Sequence, residues 1–84
     1  ICYFESIGMH KIAIYGISFY KEFYGSLIEI LPLHPSFKRV HHSYIVNTNN
    51  ITDIDRKHKL IKTRISNHIP ISRKYYKEIK QLIK

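Results

Sequence analysis

The stretch Phe37-Lys38-Arg39-Val40-His41-His42-Ser43-Tyr44-Ile45-Val46-Asn47 decides how this chain is read. It packs charge, imidazole, hydroxyl and strand-forming residues into one short span. Val40, Tyr44, Ile45 and Val46 favour extended backbone, because β-branched and aromatic side chains pack well on a pleated surface. The polar groups between them therefore stand on a pleated element or its rim, not on a helix, and have a rigid mount for contacts.

Towards the amino end the same pattern recurs in shorter pieces. Ile1 to Glu5 reads as a buried strand, closed by a Ser6-Ile7-Gly8 turn. His10 to Tyr15 puts Ile12 and Ile14 on one face. Phe19 to Tyr24 alternates with period two, Phe19, Lys21 and Phe23 against Tyr20, Glu22 and Tyr24. After Gly25, Ser26 and Glu29 have the spacing of a capping box ahead of a short helix with Leu27, Ile30 and Leu31 on one face. Pro32 ends that helix, and Leu33 to Ser36 is a loop.

Towards the carboxyl end, Thr48-Asn49-Asn50 is a turn, and Ile51 to Asp55 pairs with Leu60 to Ile65 across a basic tip, Arg56-Lys57-His58-Lys59. Ser66-Asn67-His68 is a further turn and Ile69-Pro70-Ile71 is extended. Ser72 is placed to cap a last helix whose apolar side carries Tyr76, Ile79, Leu82 and Ile83. The expected class is mainly β, small antiparallel sheets with one short mid-chain helix and a short C-terminal helix.

The 84 residues make one small domain or a piece of one, and a domain of this size buries only about 60% of its unfolded surface. A large catalytic cleft does not fit easily inside it. The net charge of +8 is uneven: residues before Phe37 sum to −1 and those from Phe37 onward to +9. A basic half of this kind faces a polyanion or is simply solvated; charge speaks to partners and solubility, not to fold. The single Cys2 excludes an internal disulfide. No apolar run approaches the roughly 20 residues of a membrane span. With no signal peptide and no Met at position 1, the expectation is a piece of a longer cytoplasmic protein.

Six histidines invite a metal reading. Adjacent His41 and His42 in a strand point to opposite faces, and no HxxxH or CxxC spacing supports a zinc site. Cys2 lies in an apolar strand with no acid or base at telling spacing, and no Gly-rich phosphate loop is present. Neither metal, cofactor nor enzyme activity is expected. His10, His42 and Arg73 make more sense as readers of base edges than as core. Each also has a plain reading: His10 starting a strand in solvent, His42 bonding a neighbouring carbonyl, Arg73 exposed in a first helical turn.

Taken in order, Tyr3-Phe4-Glu5-Ser6, His10-Lys11, Glu22-Phe23-Tyr24-Gly25-Ser26-Leu27, Phe37 to Asn47 and Pro70-Ile71-Ser72-Arg73 resemble the LytTR DNA-binding domain across almost the whole chain. The likeness is to the output domains of response regulators that govern peptide-pheromone quorum sensing, virulence, competence and bacteriocin genes. It implies a β-β-β sandwich of small sheets that binds double-stranded DNA through loops set into successive major grooves of promoter direct repeats. By motif it makes His10, His42 and Arg73 base contacts. The position after the first His of His-x-Ser is more often Arg or Asn in the family, so His42 departs from the pattern. It also implies a domain spanning residues 1 to 84 that lacks its first strand, an upstream receiver domain, a histidine kinase partner and a homodimer on DNA.

Lys38, Arg39, Ser43, Asn47, Lys57, Lys59, Lys62, Arg64 and Lys74 are then the expected phosphate contacts, which set register without reading sequence. Three base contacts at about 1–3 kcal/mol each supply about 3–9 kcal/mol of discrimination. That is close to the roughly 4–10 kcal/mol separating specific from non-specific binding. The alternative reading is a basic protein- or RNA-interaction module using the same face, without sequence-specific DNA reading.

Overall fold

The computed structural model describes residues 1–66 and 68–82. Five strands, β1 (Tyr3–Gly8), β2 (Lys11–Tyr15), β3 (Tyr20–Tyr24), β4 (Phe37–His41) and β5 (Tyr44–Asn47), form one antiparallel sheet in the order β3-β2-β1-β5-β4. Between β3 and β4 lie helix α1 (Leu27–Ile30) and a single 3-10 turn, Leu31–Leu33. Strands β6 (Ile51–Asp55), β7 (Leu60–Thr63) and β8 (Ile69–Pro70) make a second antiparallel sheet, followed by helix α2 (Arg73–Leu82). The mainly β class with two short helices is the one expected.

The five-stranded sheet is the middle layer because both its faces are apolar. Ile45 and Val46 are consecutive in β5 and both fully buried, which a strand allows only if one points to each face. Ile45 joins Phe4, Ile12, Leu27 and Ile30 under α1. Val46 joins Tyr3, Val40, Ile61, Ile69 and Ile79, so the second sheet and α2 cover the other side. Each such side chain withdrawn from water contributes about 1.5–3 kcal/mol. Across the sheet, the Glu5 carboxylate accepts from the phenols of Tyr15 at 3.0 Å and Tyr44 at 2.9 Å, joining β2, β1 and β5. Burial first, and then that bond to Glu5, push Tyr44 up to about 12.

The capping box forms as its spacing demands: Glu29 Oε1 accepts from the backbone N–H of Ser26 at 3.1 Å and from its hydroxyl at 2.9 Å. Pro32 falls inside the 3-10 turn that ends the helix. Two readings change. Ser6-Ile7-Gly8 is not a turn: β1 runs through Gly8 with an irregularity between Ser6 and Gly8, and the reversal falls on Met9 and His10. The Phe37 to Asn47 stretch keeps its expected pleated element and rim, as two strands joined at His42 and Ser43 with the polar centre on the rim. The β7 strand also stops at Thr63, short of Ile65.

In β4 the pairing slips by one residue between Arg39, opposite Ile45, and His41, opposite Tyr44. Val40 is the extra residue, so its carbonyl is free of the ladder. It accepts instead from the backbone N–H of Ser72 at 2.8 Å, while the N–H of Ile71 donates to Lys59 at 2.9 Å. The segment before α2 is thus stitched to β4 on one side and to the basic hairpin tip on the other.

Ser72 does not cap α2 in the expected way. Its carbonyl opens the helix, accepting from the N–H groups of Tyr75 at 3.0 Å and Tyr76 at 3.1 Å. Its hydroxyl is buried and has no hydrogen-bond partner among the described residues. The bond to Val40 holds Ser72 against β4, and the hydroxyl is enclosed there. On α2, Tyr76 and Ile79 face the core as expected. The side chain of Leu82, together with Asn67 and Ile83, lies outside the described residues. A working cap loses about 1 kcal/mol on truncation to Ala, whereas an enclosed orphan hydroxyl costs nothing to remove. Ser72→Ala is therefore expected to leave the thermal midpoint unchanged or raised, and a clear drop would restore the cap.

Candidate nucleic-acid interface

Two of the three expected base contacts sit on hairpin tips that meet. His10 ends the two-residue reversal between β1 and β2, and His42 opens the one between β4 and β5. Ser6 in β1 donates its N–H to the Ser43 carbonyl at 2.8 Å, which locks the second tip beside the first strand. His10 and His42, with Ser6, Ser26 and Arg39, line one shallow depression of about 340 Å³. Both imidazoles are exposed. An imidazole offers one donor and one acceptor when neutral, enough to engage a base edge.

The two tips are built by opposite means. Gly8, Met9 and His10 have φ values of 90°, 54° and 58°. Positive φ at both central residues marks the tight hairpin family whose twist matches that of the flanking strands. Only Gly takes this conformation freely, and His is among the few other types enriched there. The His10 carbonyl is then fixed by the N–H of Gly25 at 2.7 Å. Met9, the other central residue, is 89% exposed at the end of the turn, and the sequence reading missed it. Gly8, next to Met9, signals a reversal nearby without saying which residues form it.

Neither His42 nor Ser43 has a positive φ, so their tip is held by side chains. The Arg39 guanidinium donates from Nε to the His41 carbonyl at 3.0 Å and from Nη2 to the His42 carbonyl at 2.7 Å. The His41 ring accepts the Ser43 N–H on Nδ1 at 3.0 Å.

Arg73, the third expected base contact, lies outside that depression. It is the exposed first residue of α2, one step beyond the Ser72 bond to β4. Of the expected phosphate contacts, Lys57 and Lys59 stand on the exposed β6–β7 tip, Lys62 is half-buried in β7, and Arg64 and Lys74 are exposed. Lys59 lies 5.5 Å from the centre of the Tyr76 ring and Lys74 5.4 Å from that of Tyr75, contacts that brace the ammonium groups. Ser43 stays at the His42 tip, and Lys38 lines a second open depression of about 510 Å³ with Phe37, Tyr75 and Glu78. Two are otherwise engaged. Asn47 accepts from the Asn49 N–H at 3.1 Å and donates to the Ile1 carbonyl at 2.9 Å, at the end of β5 away from the tip. Arg39 is turned onto the tip carbonyls.

The basic tip has its own brace. Asp55 accepts from the His58 N–H at 3.1 Å, and its other oxygen lies 2.9 Å from the His58 ring Nδ1. The backbone N–H first, and then the imidazole, hold the Asp55 carboxyl below its ordinary value. Among the described residues no three His, Cys, Asp or Glu side chains gather as metal ligands, and no helix is long and apolar enough to cross a membrane.

The His10 and His42 imidazoles on strand tips and the Arg73 guanidinium at a helix start are thus exposed on a basic, mainly β domain. Residues 1–84 match the LytTr DNA-binding domain, and the chain belongs to that family. It is 34% identical over 80 residues to accessory gene regulator protein A of Staphylococcus aureus, covering 94% of this chain and 34% of that protein. It is 36% identical over 62 residues to the protein of the same name from Staphylococcus epidermidis, covering 73% of this chain and 26% of that one. The chain thus spans about a third of the length of the Staphylococcus aureus relative.

Two outcomes follow from the tips. His10→Gly keeps its turn, because glycine accepts positive φ without strain, whereas His10→Val loses about 1–2 kcal/mol to the clash of a left-handed branched residue; urea unfolding of the two variants measures the difference. At the basic β6–β7 tip the lowered Asp55 carboxyl contributes order that is complete above its ordinary range and lost as pH falls through its lowered value. Amide protection factors at Lys57, His58 and Lys59, which discount the intrinsic slowing of exchange in acid, are expected to fall as pH drops while those of β7 are kept.

Proposed function

We propose that this domain reads promoter DNA sequence as the output part of a two-component transcriptional regulator. His10, His42 and Arg73 contact base edges in successive major grooves of direct repeats. The observation that carries the reading is the meeting of His10 and His42, from distant motifs, at one exposed depression of a chain with a net charge of +8. Family membership supplies DNA binding, and the name of the staphylococcal relatives, accessory gene regulator, supports a regulatory setting. Ser43, Lys38, Lys57, Lys59, Lys62, Arg64 and Lys74 contact phosphates; Asn47 is not carried forward, since both ends of its amide are engaged inside the fold. In the whole protein an upstream receiver domain, phosphorylated by a histidine kinase in the cytoplasm, controls how two copies occupy adjacent repeats.

A fluorescence-anisotropy titration against a direct-repeat promoter duplex of a relative and a scrambled duplex, at two salt concentrations, tests this. Sequence reading requires a scrambled-to-specific ratio of dissociation constants of about 10³ or more. If about six phosphates engage, log K falls with log salt at a slope near −5. Arg73→Ala is expected to weaken promoter binding by about 1–3 kcal/mol and random-duplex binding far less, whereas Lys57→Ala weakens both alike. Equal losses for Arg73→Ala on both duplexes would remove it from the base-reading set. Single-stranded RNA competing as well as duplex DNA would favour the basic interaction module.

A further inference from the structure

We propose that Arg39 is a positioning residue for promoter reading: it aims His42 by holding the carbonyls of the tip, and does not serve as a phosphate contact. The inference deepens the assignment of His42 as a base reader and rests on it. Three observations carry it. The guanidinium spans two consecutive carbonyls, those of His41 at 3.0 Å and His42 at 2.7 Å, with donors from two different nitrogens. The His42-Ser43 reversal lacks the positive φ that lets a two-residue hairpin close with the twist of its strands, so its backbone alone does not match that twist. Arg39 is half-buried, and it borders the depression that His42 shares with His10.

A side chain pinned through its carbonyl peptide plane has its direction set as well. Fixing the His42 carbonyl fixes the plane that joins His42 to Ser43, and with it the line along which the imidazole leaves the rim. The other ties, the His41 ring on the Ser43 N–H and the Ser6 N–H on the Ser43 carbonyl, hold Ser43 and leave the His42 carbonyl to Arg39. A guanidinium holds donors from two nitrogens in one rigid plane matched to the two carbonyls, whereas a lysine ammonium is a single point of charge on a flexible stem, so lysine keeps the charge and loses the fixed geometry.

The two roles separate on Arg39→Lys and Arg39→Gln, with thermal melts showing that both fold. A positioning residue gives a fall of about tenfold in the scrambled-to-specific ratio for both variants, with scrambled-duplex affinity and salt slope kept in Arg39→Lys. It also gives faster amide exchange at His42 and Ser43 in the free protein. A phosphate contact gives an unchanged ratio, near-normal binding by Arg39→Lys and a salt slope reduced by about one in Arg39→Gln, which overturns the inference. Should the unaltered protein bind both duplexes equally, promoter reading itself fails. The free-protein exchange then decides Arg39 alone, and His42 and Ser43 exchanging in Arg39→Lys as they do in the unaltered protein overturns the inference.

Discussion

The extra residue at Val40 is the constraint on which the contact surface depends. An antiparallel edge strand normally leaves carbonyls facing water; here the slip in register turns one of them onto the Ser72 N–H. That bond brings the start of α2, and so Arg73, against the strand that carries the His42 tip. The neighbouring bond from Ile71 to the Lys59 carbonyl draws in the basic hairpin. Without the slip, the two sheets would share a core but have no shared rim.

The core beneath this rim explains why so small a domain can afford exposed, weakly self-organised tips. Ile45 and Val46 anchor one strand into two layers, so β5, which leads into the His42 tip, is among the best-held elements. The Glu5 carboxylate adds a polar tie between β5, β1 and β2 through two phenols. Rigidity comes from the strands and variation is left to the ends.

Most elements were legible because period-two alternation and capping spacing are local signals. Ile12 with Ile14, Ser26 with Glu29, and Tyr76 with Ile79 fall where their pattern puts them. What escaped the sequence was non-local or depended on backbone sign. The reversal at Met9 and His10 was displaced onto Ser6 to Gly8, because a glycine marks a turn without saying which residues take the positive φ. The Ser72 hydroxyl does not cap because the residue is held against Val40, far away in sequence, and its hydroxyl is enclosed there without a partner. The motifs bearing His10 and His42 were visible separately, and only the fold brings them to one depression. Arg39 was read by its charge, and its two carbonyl partners appear only once the hairpin closes.

The contrast between the two tips also limits how this surface can diversify. Position 10 sits at a φ of 58°, where Gly, Asn, Asp and His are tolerated and branched or bulky side chains are strained. Its chemical vocabulary is short whatever partner it faces. Position 42 has no such restriction, since its backbone is held from outside and its own side chain is free of that duty. A lineage changing this rim therefore has one freely adjustable position at the tip of β4 and one nearly frozen position at the tip of β1, and the frozen one is fixed by backbone geometry alone.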